Sequence, residues 1–577
     1  MERFKDYISK DIFDLFSKLP QFFQKHLDKE LDEFPKNISS TAWNDLFPEA
    51  MIQENDKTIS SLRQQRTIFI EKMNDNPLTD LGQELLLTSN VIAGLPLDLE
   101  DITNKDLKKK LTFIAHHCKQ QYWYDHPIPI GVAPENNELI YGLSHLDKAL
   151  DIEIKHGILK KNQKINCVLS LSTTHKEITS IAKSFLEKEI KNNLKLKNIS
   201  LYIFSEDDTN ALIHKVLKPL SHKYNLNENI FEFFGVNGKY GRHYSFLKSI
   251  AALFQITINP NLKATFKIDL DQVFDQERLI RETGRTAFSH FLSPQWGATG
   301  RDSFNRKVKL GMIAGSLVNQ DEASKSIFTP DVKMPKQRRY FFCSQIPQAI
   351  STYAEMMPDT NEDFSDTKTT VRTRIHVTGG TNGILIEDLK KYRPFTPSFI
   401  ERAEDQAYIL SVFDGSAFPL TYLHKPGLVM RHDKEGFATD AIKKAKVGKD
   451  IGDSLRILIF SAYAKFLDPN LDHLKQLLFP FTGCFITKYP LLLSLLRLFE
   501  RAQAFKDNET RCEFLKLGLE RIEYTLNFIQ HEMQLTLEKE KNEYDVFYTL
   551  LSHWENEPHV NSHRKVACEV IERCKLS

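Results

Sequence analysis

The apolar run "ATFKIDLDQVF" (264–274) ends in two carboxylates, Asp269 and Asp271, with one residue between them. Buried strand ends normally exclude charge, so a pair of acids there needs a reason. Mg²⁺ and Mn²⁺ take hard oxygen ligands, commonly one or two carboxylates together with substrate phosphates. An Asp-x-Asp at a strand end can set both acids beside a cleft once the chain leaves extended geometry. Two other acid clusters accompany it: Glu206-Asp207-Asp208 in "ISLYIFSEDDTN" and Glu404-Asp405 in "PSFIERAEDQAYIL". Singly, each is an ordinary acidic loop or helix start. Together with a metal pair, a further carboxylate is a suitable base for a hydroxyl proton.

The elements that must position these groups follow from hydrophobic periodicity. Residues 1 to about 160 read as mostly helical, with Phe4, Ile8, Ile12 and Phe16 at helical spacing. They end in the proline-rich stretch "QYWYDHPIPIGVAPENNELIYGL" (121–143), an ordered loop. That loop is either a packed connector or the wall of a pocket, since Trp123, Tyr124, Asp125 and His126 are residue types that stack on and hydrogen-bond sugars. From about 164 strands alternate with helices: "INCVLSLS" (165–172), "ISLYIFS" (199–205), "IFEFFG" (230–235), then the helical "GKYGRHYSFLKSIAALFQ" before the Asp-x-Asp strand. This alternation predicts an α/β unit over 161–441 with a mostly parallel sheet flanked by helices, whose ligands bind at the carboxyl ends of the strands. After about 442 the pattern is helical to residue 577, with Leu515, Leu519, Ile522, Leu526, Ile529 and Met533 forming one stripe. The stretches 320–340 and 357–368 read as loops, and a loop near the rim could act as a lid.

In this order, the region from about 164 to 435 resembles the GT-A fold of nucleotide-sugar glycosyltransferases, particularly the family 2-like group. The resemblance rests on "LYIFSEDDTN", "GKYGRHYSFLKS", "FKIDLDQVF", "HVTGGTNGILIEDL" and the Glu404-Asp405 pair. It implies a Rossmann-like, mostly parallel sheet and transfer of a sugar from a nucleoside diphosphate to an acceptor hydroxyl. Glu206, Asp207 and Asp208 would then hold the nucleotide. Lys239 and Arg242, near a helix start that favours anions, would share the diphosphate. Asp271 would be the direct ligand of Mn²⁺ or Mg²⁺, with Asp269 on the sugar or ribose side and also near the metal. Gly379, Gly380 and Asn382 of "GGTNG" would form the acceptor-side turn. Asp405 would be the base of an inverting reaction, with Glu404 as the neighbour to test second. The third metal ligand would be His424 or His432; His432, after "GLVM" in a basic loop-like context, is preferred. Two departures stand out. "HYSFLKS" replaces the Asn usual before the metal strand, and the long interval from Asp271 to Gly379 implies an insertion.

Composition narrows the partners. With 77 basic and 76 acidic residues the net charge is +1, so nothing in the bulk charge favours nucleic acid. A chain of 577 residues, 41% hydrophobic and 27% charged, should form two to four domains with sizeable cores. The seven cysteines form no C-x-x-C pair, the usage of free thiols in a reducing compartment. The N-terminus "MERFKDYISKDIF" mixes charges from the second residue and does not read as a signal peptide. The most apolar stretch (476–499) is broken by Pro480, Lys488 and Pro490, short of the roughly 20 continuous apolar residues of a span. A cytoplasmic protein is expected, with membrane-surface contact left open. Its partners would be a UDP- or GDP-sugar donor and a glycan, small-molecule, lipid-linked or protein acceptor. A sugar nucleotidyltransferase is the second reading, although "SLSTTHKEI" lacks that group's Gly-rich basic loop. A non-catalytic nucleotide- or glycan-binding relative is the third. Walker A, H-E-x-x-H and G-x-S-x-G motifs are absent from the sequence.

Overall fold

The computed structural model describes residues 8–34, 56–100, 102–226, 231–319, 322–326, 365–375, 377, 379–415, 417–432, 439–479, 486–556 and 562–576. Its strands are β1 (Thr67–Lys72), β2 (Leu85–Gly94), β3 (Ile128–Pro129), β4 (Ile165–Thr173), β5 (Ile199–Phe204), β6 (Ala264–Ile268), β7 (Gln272–Val273), β8 (Thr299–Asp302), β9 (Lys307–Asn319), β10 (Glu322–Ser326), β11 (Thr370–Arg374), β12 (Thr381–Leu385) and β13 (Leu420–His432). All belong to one sheet with the spatial order β5-β4-β2-β6-β12-β9-β8-β1-β11-β13-β7.

One arm, β5-β4-β2-β6, is parallel. Strands covered on both faces read as unbroken apolar runs. That accounts for "LLLTSNVIAG" in β2 and "ATFKI" in β6, both almost wholly buried. Beyond β6 the sheet changes character. β12 is antiparallel to both β6 and β9. β9, β8, β1, β11 and β13 then close on themselves through a β13–β9 pairing, making a five-stranded mixed barrel.

This overturns the mostly parallel, Rossmann-like sheet expected from the sequence. Strand–helix alternation was a valid signal only as far as β6. From residue 299 to 432 the strands join mainly by antiparallel pairing, with β13 parallel to β9, and no helix spacing advertises them. The N-terminal region is also not simply helical, because β2 stands in the middle of the parallel arm and β1 in the barrel. Within "IFEFFG", residues 231–235 form no strand and pass through a turn at 232–233. Phe233 and Phe234 spend their apolar surface against a C-terminal helix, with Phe233 5.0 Å from Tyr544 and Phe234 5.7 Å from Phe547.

Both ends of the chain are built into the fold. The helices Lys10–Ser17 and Gln21–Asp32 pack on the helix Pro490–Ala502, with the Phe16 and Phe499 rings 4.9 Å apart. Glu30 accepts hydrogen bonds from the Leu491 and Leu492 amides, each at 2.9 Å, at the start of that helix. The helices Met533–Glu555 and Ser562–Arg573 share a core with Tyr240–Thr257, the helix that lies across the parallel arm. The chain end then hydrogen-bonds the edge of β5, through Leu576 N–H to the Leu201 carbonyl at 2.8 Å and Ile203 N–H to the Cys574 carbonyl at 2.7 Å. No described helix is long and apolar enough to cross a membrane.

If the C-terminal helices are part of the α/β core, truncating the fully buried Trp554 should cost the whole unit about 3–5 kcal/mol. Urea unfolding of Trp554→Ala, followed by circular dichroism, should move the main transition to lower denaturant. A separate early transition with the main one unmoved would instead mark these helices as an independent cap.

Candidate active site

Register brings the sequence-distant acids together. β12 pairs with β6 so that Thr381 faces Ile268, and the Gly379-Gly380 turn therefore meets Asp269. At the other side, β13 pairs with β7 so that His432 faces Gln272, which sets His432 beside Asp271. His432 Nε2 lies 3.1 Å from Asp271 Oδ2.

Lys267 sits at the centre. Residues two apart on a strand share a face, so Lys267 at the end of β6 shares a side with Asp269, and the two form an ion pair. The Lys267 side chain is buried. Burial alone would drive its proton off, but Asp269, Glu404 and Asp405 outweigh that and hold its pKa above the ordinary lysine value. Gln272 Nε2 also donates to Asp269 at 3.1 Å.

Glu404 and Asp405 open the helix Glu404–Leu410. The residue before them, Ala403, has φ 60°, a left-handed conformation that costs a non-glycine residue of order 1–3 kcal/mol and persists where the surroundings impose it. Burial raises both carboxyl pKa values; Lys267 opposes the rise at each, and Glu404 drives that of Asp405 well above the ordinary carboxylate range. A Cβ placed on Gly379 would lie 3.5 Å from Asp269 Oδ2, 3.6 Å from Glu404 Oε1 and 3.7 Å from Lys267 Nζ. Glycine there leaves open the space where these three groups meet. At Gly380 a Cβ would come within 2.4 Å of Gln272 Oε1 and 2.7 Å of Asp269 Oδ2, so a side chain would have to displace Asp269 and Gln272.

These groups line a cavity of about 230 Å³. Six carboxylates border it: Asp125, Glu138, Asp269, Asp271, Glu404 and Asp405. Against them stand Lys267 and Arg402. Asp125 is fixed by His126 Nδ1 at 2.8 Å and by the Tyr240 hydroxyl, which donates to it. Arg402 pairs with Asp453 at 3.1 Å and donates to the Tyr124 carbonyl at 3.1 Å. Behind the glycine turn, Asn382 accepts from Tyr244 Oη at 2.8 Å and Lys248 Nζ at 3.1 Å, and donates to the Gly379 carbonyl at 3.0 Å. Burial, with repulsion from Lys267, brings Lys248 down to about 7.

Other residues singled out from sequence lie elsewhere. Glu206 accepts from the Val236 and Asn237 amides, each at 3.0 Å, and pairs with Arg242 at 3.0 Å. Asp208 caps its own helix through Ser205 and pairs with Lys183 at 2.8 Å. Asp207 is exposed. None of these four lines the acid cavity. Glu206 and Arg242 together secure the loop before the helix Tyr240–Thr257. Lys239 pairs with Glu401 at 3.4 Å and borders a second cavity. His424 is buried in the barrel wall with neither ring nitrogen hydrogen-bonded among the described residues, and burial among nearby cations holds it neutral. Of the loops expected at 320–340 and 357–368, residues 320–321, 327–340 and 357–364 lie outside the described residues, 322–326 form strand β10 instead of a loop, and 365–368 form a turn.

Asp269, Asp271 and His432 do not converge as a trio: among the described residues, no group of three or more His, Cys, Asp or Glu side chains forms a metal site. Asp271 and His432 meet at one point, while Asp269 turns to Lys267. That pair fits a divalent cation whose remaining ligands are substrate phosphate oxygens and water. Sequence reasoning missed Lys267, Arg402, Glu138 and Tyr240. Lys267 had a signal, since a lysine inside an otherwise apolar buried strand and two residues before Asp269 needs a buried anion. Arg402 stands in the same relation to Glu404.

No protein-family model matches the chain, and no curated protein matches it.

The segment carrying Glu404 is held from behind by a titratable contact. Ser398 donates its amide to Glu540 at 2.8 Å and its hydroxyl to the same carboxyl. Burial pushes Glu540 from an ordinary 4.5 up to about 7. Its native pKa is above its unfolded value, so the fold favours the protonated form. Its contribution to stability is complete below pH 4.5 and is lost as pH rises to about 7. Urea unfolding of Glu540→Gln across this range should show a shallower fall of stability with pH than the parent protein; parallel curves would remove Glu540 from the titration.

Proposed function

We propose that the protein is a metal-assisted glycosyltransferase, moving a sugar from a nucleoside-diphosphate sugar to an acceptor hydroxyl with Asp405 as the base. One observation carries the reading: three distant parts of the chain, at 125–138, 269–271 and 404–405, place six carboxylates around a buried lysine in one cavity. A merely structural acid cluster would be neutralised pair by pair, whereas here carboxylates outnumber the cations.

Asp271 and His432 would hold the divalent cation, which when bound supplies Lewis-acid help to the departing diphosphate. Lys267 and Arg402 offer fixed positive charge to the same phosphates, and Lys267 also keeps Asp269 oriented. Asp125, anchored by His126 and Tyr240, is placed to accept hydrogen bonds from sugar hydroxyls. Asp405, raised by burial and by Glu404, has the proton affinity to take a hydroxyl proton as the acceptor attacks. A carboxylate opposite the leaving group, with no covalent intermediate, gives inversion. The open space at Gly379 leaves room for the reacting centre between Glu404 and Asp269.

The test is nucleoside diphosphate release from UDP- and GDP-sugars in the presence of Mn²⁺. Asp405→Asn should lower turnover by about 10²–10⁴-fold, the usual worth of a general base, and Asp271→Asn should abolish metal dependence. Activity needs Asp405 deprotonated, so it should fall as pH drops through a pKa above the ordinary carboxylate value of 3.8, and the Asp405→Asn profile should be flat. Turnover that requires pyrophosphate would point to nucleotidyl transfer instead, and sugar-nucleotide binding with no release would point to a non-catalytic protein.

A further inference from the structure

A second cavity, of about 510 Å³, lies between the segment 119–124, the helix Thr439–Leu467 and the helix Asn508–His531. It shares its wall with the acid cavity. Trp123 and Tyr124 face it while Asp125 and His126 face the acids. In the same way Lys239 gives way to Tyr240, and Glu401 to Arg402. Three segments thus pass directly from one cavity into the other.

The wall is built for this position. Tyr122 is buried and held at φ 52°, an unfavourable conformation for a bulky residue, with its hydroxyl donating to the Val236 carbonyl at 3.0 Å. The helix Thr439–Leu467 comes in so close that a Cβ on Gly448 would lie 1.9 Å from the Trp123 carbonyl oxygen, and one on Gly452 would lie 3.0 Å from Tyr124 Cβ. Arg521 stacks over Trp123 at 4.4 Å, and Lys239 lies 5.5 Å over Phe528. Tyr524 is 65% exposed. Gln121 Oε1 is buried with no hydrogen-bond partner among the described residues, and buried polar atoms normally have one.

Aromatic faces beside unsatisfied and charged polar groups match a sugar ring, which has an apolar C–H face and a rim of hydroxyls. The volume falls in the range of ligand pockets, roughly 300–1,000 Å³. We infer that this groove binds the non-reacting part of an oligosaccharide acceptor, whose terminal hydroxyl enters the acid cavity past Tyr124 and Tyr240. The inference rests on the sugar-transfer reading for the choice of ligand.

Isothermal titration calorimetry on the full chain, without donor or metal, tests it with maltotetraose, cellotetraose and chitotetraose as probes. At least one tetrasaccharide should bind, and Tyr524→Ala should weaken that binding at least tenfold. Because Tyr524 is exposed, this change leaves the core intact; Trp123→Ala, checked for an unchanged melting profile, is the second variant and should weaken binding similarly. No binding by any of the three probes, or binding that neither variant alters, overturns the inference. Nucleoside diphosphate release by the parent protein is measured separately. Its absence alongside variant-sensitive oligosaccharide binding would contradict sugar transfer while leaving the groove as a glycan site.

Discussion

A buried ammonium surrounded by carboxylates is the constraint on which this cavity depends. Removing Lys267 from water is costly, and the cost is offset only if anions meet it in the interior. Asp269, Glu404 and Asp405 do so. They come from the end of β6 and from a helix more than a hundred residues further on. The same lysine therefore fixes the distance between the two acid pairs. Breaking this ion cluster by removing one partner would strand the others, which is why such clusters are costly to alter piecemeal.

Around that centre, the scaffold is stiffened from unexpected directions. The 397–405 segment is gripped by Glu540 of a C-terminal helix, and the loop before Tyr240 by Glu206 and Arg242. Lys248 and Tyr244 secure the glycine turn through Asn382. The C-terminal helix that carries Glu540 is thus a support of the cavity rather than an appendage, and residues 574–576 hydrogen-bond the edge of the sheet at β5.

The parallel arm was legible because its strands are continuous apolar runs separated by amphipathic helices. The barrel was not. Its strands are joined by antiparallel pairing, and long β9 and β13 meet in parallel across a large sequence gap, a contact no local pattern reports. β2 hid in a region whose flanks read as helical. Among the site residues, Asp269, Asp271, Glu404, Asp405 and Gly379 stood out by type and spacing and do reach one cavity. Glu206 and Asp208 had the same local appearance yet serve as a loop anchor and a helix cap, because sequence does not say which backbone amides a carboxylate will meet. Lys267 escaped notice although its place in an apolar run, two residues before Asp269, was a signal; the weight of that signal comes from the burial of its side chain.

We propose that Asp271 and His432, beside the Lys267 cluster, hold a divalent cation and a nucleoside diphosphate together. Calorimetric titration of UDP and GDP into the protein, with and without Mn²⁺, tests this most directly. Tight binding of one of the two is expected only when Mn²⁺ is present, and it should be lost in Asp271→Asn. Nucleotide binding that is indifferent to Mn²⁺ and to that substitution, or no binding of either nucleotide, would contradict it.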